Sequence, residues 1–215
     1  MKPTSYIDHT LLKPTATDNQ IDQLCAEAIR LETASVCVPP CYVKYIKERH
    51  GDTLPVCTVI GFPLGYATTE AKLAEAHQAL ADGADELDMV INISDIKNGR
   101  DENATAEIRQ MKQLAGDKTV KVIVETCYLT EAEKIRCCEI VSAAGADYIK
   151  TSTGFGPEGA KLEDIELFKR HLAPGVKIKA AGGIRTREAL DAFIAAGCER
   201  VGMSATAKLF ADDLD

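Results

Sequence analysis

The chain has 215 residues, 46% of them hydrophobic, and a formal charge of −8. That suits one sizeable core and argues against a general nucleic-acid binder, which needs a basic face. No apolar run approaches membrane-spanning length, and residues 1–10 carry Asp8 without the apolar stretch of a signal peptide. The expectation is a cytoplasmic protein folded as one domain over residues 1–215, with no membrane or nucleic-acid partner.

Eight times a short apolar run precedes a helical pattern. The predicted strands are 6–10, 35–38, 56–61, 86–92, 120–125, 148–153, 176–180 and 200–203. The helical segments begin near Thr17, Pro40, Thr68, Glu102, Thr130, Leu162, Thr186 and Ser204. Thr17 with Gln20 and Thr130 with Glu133 fit capping boxes. Gly83, Gly145 and Gly197 stand where a helix stops before the next strand. Strands alternating with helices mean parallel βαβ units, and eight of them predict a minimal (β/α)8 TIM barrel. A doubly wound open sheet is the alternative, but the first strand runs into His9-Thr10-Leu11-Leu12-Lys13-Pro14 with no glycine fingerprint.

Eight cysteines are present, with neither a CxxC pair nor clustered histidines. Reduced, mostly buried thiols are expected, and structural zinc is not.

Side chains alternate along a strand. On the fourth strand Leu87, Met89 and Ile91 share an apolar face, leaving Glu86, Asp88 and Val90 opposite. The same parity turns Lys150 on the sixth strand and Lys179 on the seventh inward. A barrel interior prefers branched apolar side chains, so three inward charges point to chemistry, with a structural ion triad as the alternative. A second ammonium close by favours the neutral amine of a lysine, which attacks an aldehyde to form a Schiff base. Parity alone leaves open which lysine attacks. Ala181-Gly182-Gly183-Ile184-Arg185 and Gly202-Met203-Ser204 follow strands seven and eight, the usual phosphate position in such barrels.

These residues resemble the deoxyribose-phosphate aldolase family of class I, Schiff-base aldolases. The resemblance covers essentially the whole chain. It runs through Ile7 to Leu12, Ser35 to Val38, Val59 to Pro63, Asp85 to Asn92, Lys150 to Gly154, Lys179 to Arg185 and Gly202 to Ser204. It implies reversible cleavage of 2-deoxy-D-ribose 5-phosphate to acetaldehyde and D-glyceraldehyde 3-phosphate, with no cofactor. It implies Lys150 as the Schiff-base lysine, Lys179 as the neighbour favouring its neutral form and joining proton transfer, and Asp88 as the relay partner. Gly182, Gly183, Gly202 and Ser204 would hold the phosphate, Asp8 and Thr151 would bind substrate hydroxyls or water, and Cys37 would lie nearby without a required role. A homodimer is an assembly the family often forms. Two departures stand out: Phe155 replaces a lysine that some members carry, and the tail lacks a tyrosine. Other readings are a phosphosugar isomerase or metal-dependent aldolase on the same barrel, and a non-catalytic sugar-phosphate binder.

Overall fold

Parallel strands need crossovers, and the capped amphipathic segments between these strands supply them. The computed structural model describes residues 2–214. Its strands are β1 (Ile7–Thr10), β2 (Ser35–Val38), β3 (Val56–Ile60), β4 (Glu86–Val90), β5 (Thr119–Ile123), β6 (Tyr148–Lys150), β7 (Lys177–Ala181) and β8 (Arg200–Met203). They are parallel neighbours in chain order, and β8 pairs back with β1, which closes the barrel. The helices are α1 (Asp18–Leu31), α2 (Val43–His50), α3 (Thr69–Ala81), α4 (Ile93–Lys97), α5 (Asp101–Ala115), α6 (Glu131–Ala144), α7 (Leu162–His171), α8 (Arg187–Ala196) and α9 (Thr206–Leu209).

Both expected capping boxes form, Thr17 with Gln20 on α1 and Thr130 with Glu133 on α6. Thr68 and Thr186 cap α3 and α8 singly. Gly145 and Gly197 end α6 and α8 in the left-handed conformation. All eight cysteines are free, and six of them are buried.

The apolar layer lies between sheet and helices. Leu87, Met89 and Ile91 join it from the β4 segment, with Ile149 and Ile178 from β6 and β7 and Ile108, Met111 and Val141 from α5 and α6. Each such side chain contributes roughly 1.5–3 kcal/mol on burial. A one-residue slip of β4 would turn Leu87 and Met89 into the barrel and Asp88 into the apolar layer, so burial holds the register that aims Asp88 inward.

The structure departs from the sequence reading at several ends. β4 stops at Val90, and Asn92 caps a short extra helix, α4, that the strand pattern concealed. β5 stops before Glu125, whose φ of +54° lies in the left-handed region. β6 stops at Lys150, although Thr151 N–H still donates to the Lys179 carbonyl. A 3₁₀ turn from Pro40 to Tyr42 precedes α2. The segment expected to begin a helix near Ser204 holds the single turn of α9 and then a 3₁₀ turn at Ala211–Asp213.

Candidate active site

The strand register assembles a buried ionic cluster. Asp88 on β4 stands level with Lys121 on β5, Lys150 on β6 with Lys179 on β7, and Lys179 with Arg200 on β8. Asp88 Oδ2 accepts from Lys150 Nζ at 2.7 Å and from Lys179 Nζ at 2.6 Å, while its Oδ1 accepts from Lys121 Nζ at 2.9 Å. Lys179 also donates to Asp8 Oδ2. Asp8 Oδ1 accepts from Arg200 and, at 2.8 Å, from the Ser35 hydroxyl. Arg200 and Lys121 both reach Glu86. The inward parity expected for Asp88, Lys150 and Lys179 is therefore the observed arrangement.

Sequence reasoning missed Lys121, Arg200 and the part played by Glu86. The signal for Lys121 was present: it is a lysine between Val120 and Val122, which are buried in the apolar layer. The parity rule applied to β5 would have turned it inward.

The cluster carries four cations, Lys121, Lys150, Lys179 and Arg200, against three carboxylates, Asp8, Glu86 and Asp88. Burial opposes ionisation of Asp88, but Lys121, Lys150 and Lys179 outweigh it and hold the carboxyl well below the usual range. Burial is likewise outweighed at Asp8, by Lys179, Lys121 and Arg200. It also opposes charge on Lys179 and Lys121, yet the facing carboxylates hold both above the ordinary lysine value. Lys179 and Lys121 are thus fixed ammonium groups. The Cys57 thiol, raised by burial and by its bond with Cys37, donates to Asp88 Oδ1 at 3.2 Å.

Two trios bring metal-type donors together, Cys37 with Cys57 and Asp88, and Asp8 with Cys57 and Glu86. Lys121 Nζ sits among them, bonded to Cys57, Glu86 and Asp88. Its ammonium supplies the positive charge that a metal ion would bring.

Above the cluster, at the C-terminal ends of the strands, lies a cavity of about 350 Å³. Lys150, Gly182, Gly183, Gly202 and Ser204 all line it, so five of the candidate residues converge there. Lys150 is the one member of the ionic cluster on this lining. Asp88 and Lys179 are fully buried beneath it. Gly182 and Gly183 have φ of +87° and +78°, a left-handed backbone that side chains resist. A Cβ on Gly202 would lie 3.4 Å from Lys179 Cε and 3.1 Å from Ala181 Cβ, so that glycine also makes room for Lys179.

Two residues expected at the substrate, Thr151 and Asp8, lie off the cavity lining. Thr151 is fully buried off the lining, and its hydroxyl sits between the N–H and carbonyl of Ala181, 3.1 and 3.2 Å away. Asp8 is also fully buried, and its carboxylate is taken up by Lys179, Arg200 and Ser35. The residue after Lys150-Thr151-Ser152 that does reach the cavity is Thr153. Its N–H and hydroxyl donate to the buried Glu125 carboxylate, and its Oγ1 accepts from the Phe155 N–H at 3.0 Å. Phe155 also lines the cavity and packs edge-on against Phe62. Cys37 is buried beside Cys57 and Val59, next to Leu12 and Phe62.

A family model described as DeoC/LacD family aldolase matches residues 4–207. A deoxyribose-phosphate aldolase of Clostridium botulinum (strain Alaska E43 / Type E3) is 60% identical over 199 residues, covering 93% of this chain and 90% of that protein. One from Clostridioides difficile (strain 630) is 53% identical over 207 residues, covering 96% and 94%. The solved structure of the deoxyribose phosphate aldolase of Aeropyrum pernix, described as tetrameric, superposes with a TM-score of 0.90 at 32% identity, covering 98% of this chain and 90% of that one. No helix among the described residues is long and apolar enough to cross a membrane. With the barrel, the lysine-rich cluster beneath the cavity and these matches in agreement, the chain belongs to the DeoC/LacD family of aldolases.

Proposed function

We propose that this aldolase cleaves 2-deoxy-D-ribose 5-phosphate to acetaldehyde and D-glyceraldehyde 3-phosphate through a Schiff base on Lys150. One observation carries the choice of lysine: Lys150 alone belongs both to the ionic cluster and to the cavity lining. Its relatives' activity supports the substrate.

The nucleophile must be a free amine. The cluster holds one cation more than it holds carboxylates, so a proton released from one amine leaves it balanced. Asp88 Oδ2 contacts both Lys150 Nζ and Lys179 Nζ, and that shared oxygen is the relay for the proton. Lys150 adds to the C1 aldehyde of the open-chain sugar, and loss of water gives the iminium. The C3 hydroxyl then passes its proton through water to the Asp88 carboxylate, the C2–C3 bond breaks, and its electron pair passes into the iminium to form an enamine, whose carbon later takes that proton back. D-Glyceraldehyde 3-phosphate leaves. The enamine is protonated at carbon, and water releases acetaldehyde from Lys150. Between proton transfers, Lys179 and Lys121 return Asp88 to its anionic form and hold it in place. The backbone N–H groups around Gly182, Gly183, Gly202 and Ser204 hold the 5-phosphate. A cytoplasmic homodimer completes the reading; it rests on the family resemblance and is checked by light scattering and cell fractionation.

The test is borohydride trapping with acetaldehyde, followed by peptide mapping. The expected product is an ethyl adduct on Lys150, absent in Lys150→Ala. An adduct on Lys179 would exchange the lysine roles. No adduct on a folded protein would return the metal-dependent and non-catalytic readings.

A further inference from the structure

We infer that Lys13 supplies the ammonium that clamps the substrate's phosphate, reaching the cavity from the β1–α1 loop beside the glycine loop that follows β8. The inference rests on the proposed phosphosugar substrate and adds a residue to that site. A phosphate monoester carries close to two negative charges at neutral pH, so backbone N–H groups alone leave much of its charge unanswered. The cavity is lined by three cationic side chains: Lys150, Arg185 and Lys13. Lys150 is committed to Asp88.

Lys13 and Arg185 are different in kind. Apart from Lys13 and Lys208, every lysine among the described residues lies within 4.0 Å of a carboxylate. Lys208 sits on α9, off the cavity lining. In an acidic chain, a lysine left without a carboxylate is the exception, and this one borders the cavity that holds Gly182, Gly183 and Ser204. Arg185 also lacks a carboxylate partner among the described residues.

The loop holds Lys13 in position. Leu11 N–H donates to the Cys37 carbonyl at 3.0 Å, and Ala16 N–H closes a turn onto the Lys13 carbonyl at 3.1 Å. The Tyr42 hydroxyl then ties the Ala16 carbonyl to the start of α2 at 2.7 Å. The backbone of Lys13 is thereby fixed at both sides, while its side chain stays exposed at the rim of the cavity. Phe155 takes the wall position after Gly154 and brings no charge, so the countercharge must come from elsewhere on the rim.

The experiment compares kcat/KM for 2-deoxyribose 5-phosphate with kcat/KM for unphosphorylated 2-deoxyribose, in the wild type, Lys13→Met and Lys13→Arg. Loss of one charge-assisted contact lowers the phosphorylated-to-unphosphorylated ratio about tenfold in Lys13→Met, mainly through KM. Lys13→Arg restores the ratio to within about twofold. Binding of inorganic phosphate, measured by calorimetry, weakens by a similar factor in Lys13→Met. A ratio and a phosphate affinity that do not change in Lys13→Met would overturn the inference. If the wild type turns over neither sugar, the functional reading fails, and the phosphate-binding arm still decides the role of Lys13.

Discussion

A single oxygen, Asp88 Oδ2, joins the two lysines that matter most. Lys179 is more than a neighbour of Lys150: it bridges Asp8 and Asp88 and is held charged by both. Replacing it removes the surplus positive charge of the cluster and leaves two buried carboxylates short of a partner. Lys179→Leu is therefore expected to lower kcat/KM by about a hundredfold or more at neutral pH, with part of the loss regained at higher pH. A pH–rate profile between about pH 6 and pH 9 checks this, since the ascending limb reports the free amine. The same fractional loss at every pH would remove the charge-balance argument. Breaking such a buried pair also costs about 3–5 kcal/mol of stability, which denaturant unfolding of the same variant measures.

The loops beyond the strands are tied to one another at the scale of elements. Glu125, left-handed after β5, accepts from Thr153 and so braces the segment that follows Lys150. Thr126 N–H donates to the Thr151 carbonyl at 2.9 Å, adding a backbone tie between the same two segments. Farther along, Ala160 N–H donates to the Ala181 and Gly182 carbonyls, both at 3.1 Å. A Cβ on Gly159 would stand 2.1 Å from the Gly182 carbonyl oxygen, so only glycine admits this approach. Gly159→Ala is expected to push the segment off the Gly182–Gly183 turn. Stability should fall by about 1–3 kcal/mol. The KM for the phosphorylated sugar should rise as the N–H groups of the turn lose their positions. Unfolding in denaturant and steady-state kinetics check the two effects, and a variant normal in both would show that the loops do not depend on the contact.

Across the whole molecule, the barrel encloses a charged interior within an apolar layer, and this shapes its response to pH. Asp8 and Asp88 titrate below their unfolded value of about 3.9, so they contribute stability at neutral pH that is lost as pH falls below about 4. Lys121 and Lys179 titrate above their unfolded value of about 10.4, so their contribution is full below that pH and is lost as pH rises through the folded values. Stability is expected to form a plateau between about pH 5 and pH 10 with steep flanks on both sides. Denaturant unfolding across pH measures it. A single sharp maximum at the isoelectric point near 5.1 would contradict the cluster's role.

Much of this was legible in local patterns. Periods of two and 3.6, with caps at Thr17 and Thr130 and stops at Gly145 and Gly197, sufficed for eight βα units, because those signals act within a few residues of the chain. Strand parity was enough to turn Asp88, Lys150 and Lys179 to the same side. Only the closed barrel decided depth. Parity says inward but not how far along the barrel a side chain sits, and the resemblance that named Asp8 and Thr151 for the substrate carries no depth either; both lie buried off the cavity lining. Register between strands, a long-range property, set Lys121 against Asp88 and Arg200 against Lys179. The same register left Lys150 as the cluster's single amine on the cavity. The sequence alone determined the fold and turned Asp88, Lys150 and Lys179 to its interior. The tertiary structure decided which amine meets the substrate, because closing the barrel alone fixes which charges pair in the interior and which one is left facing the opening.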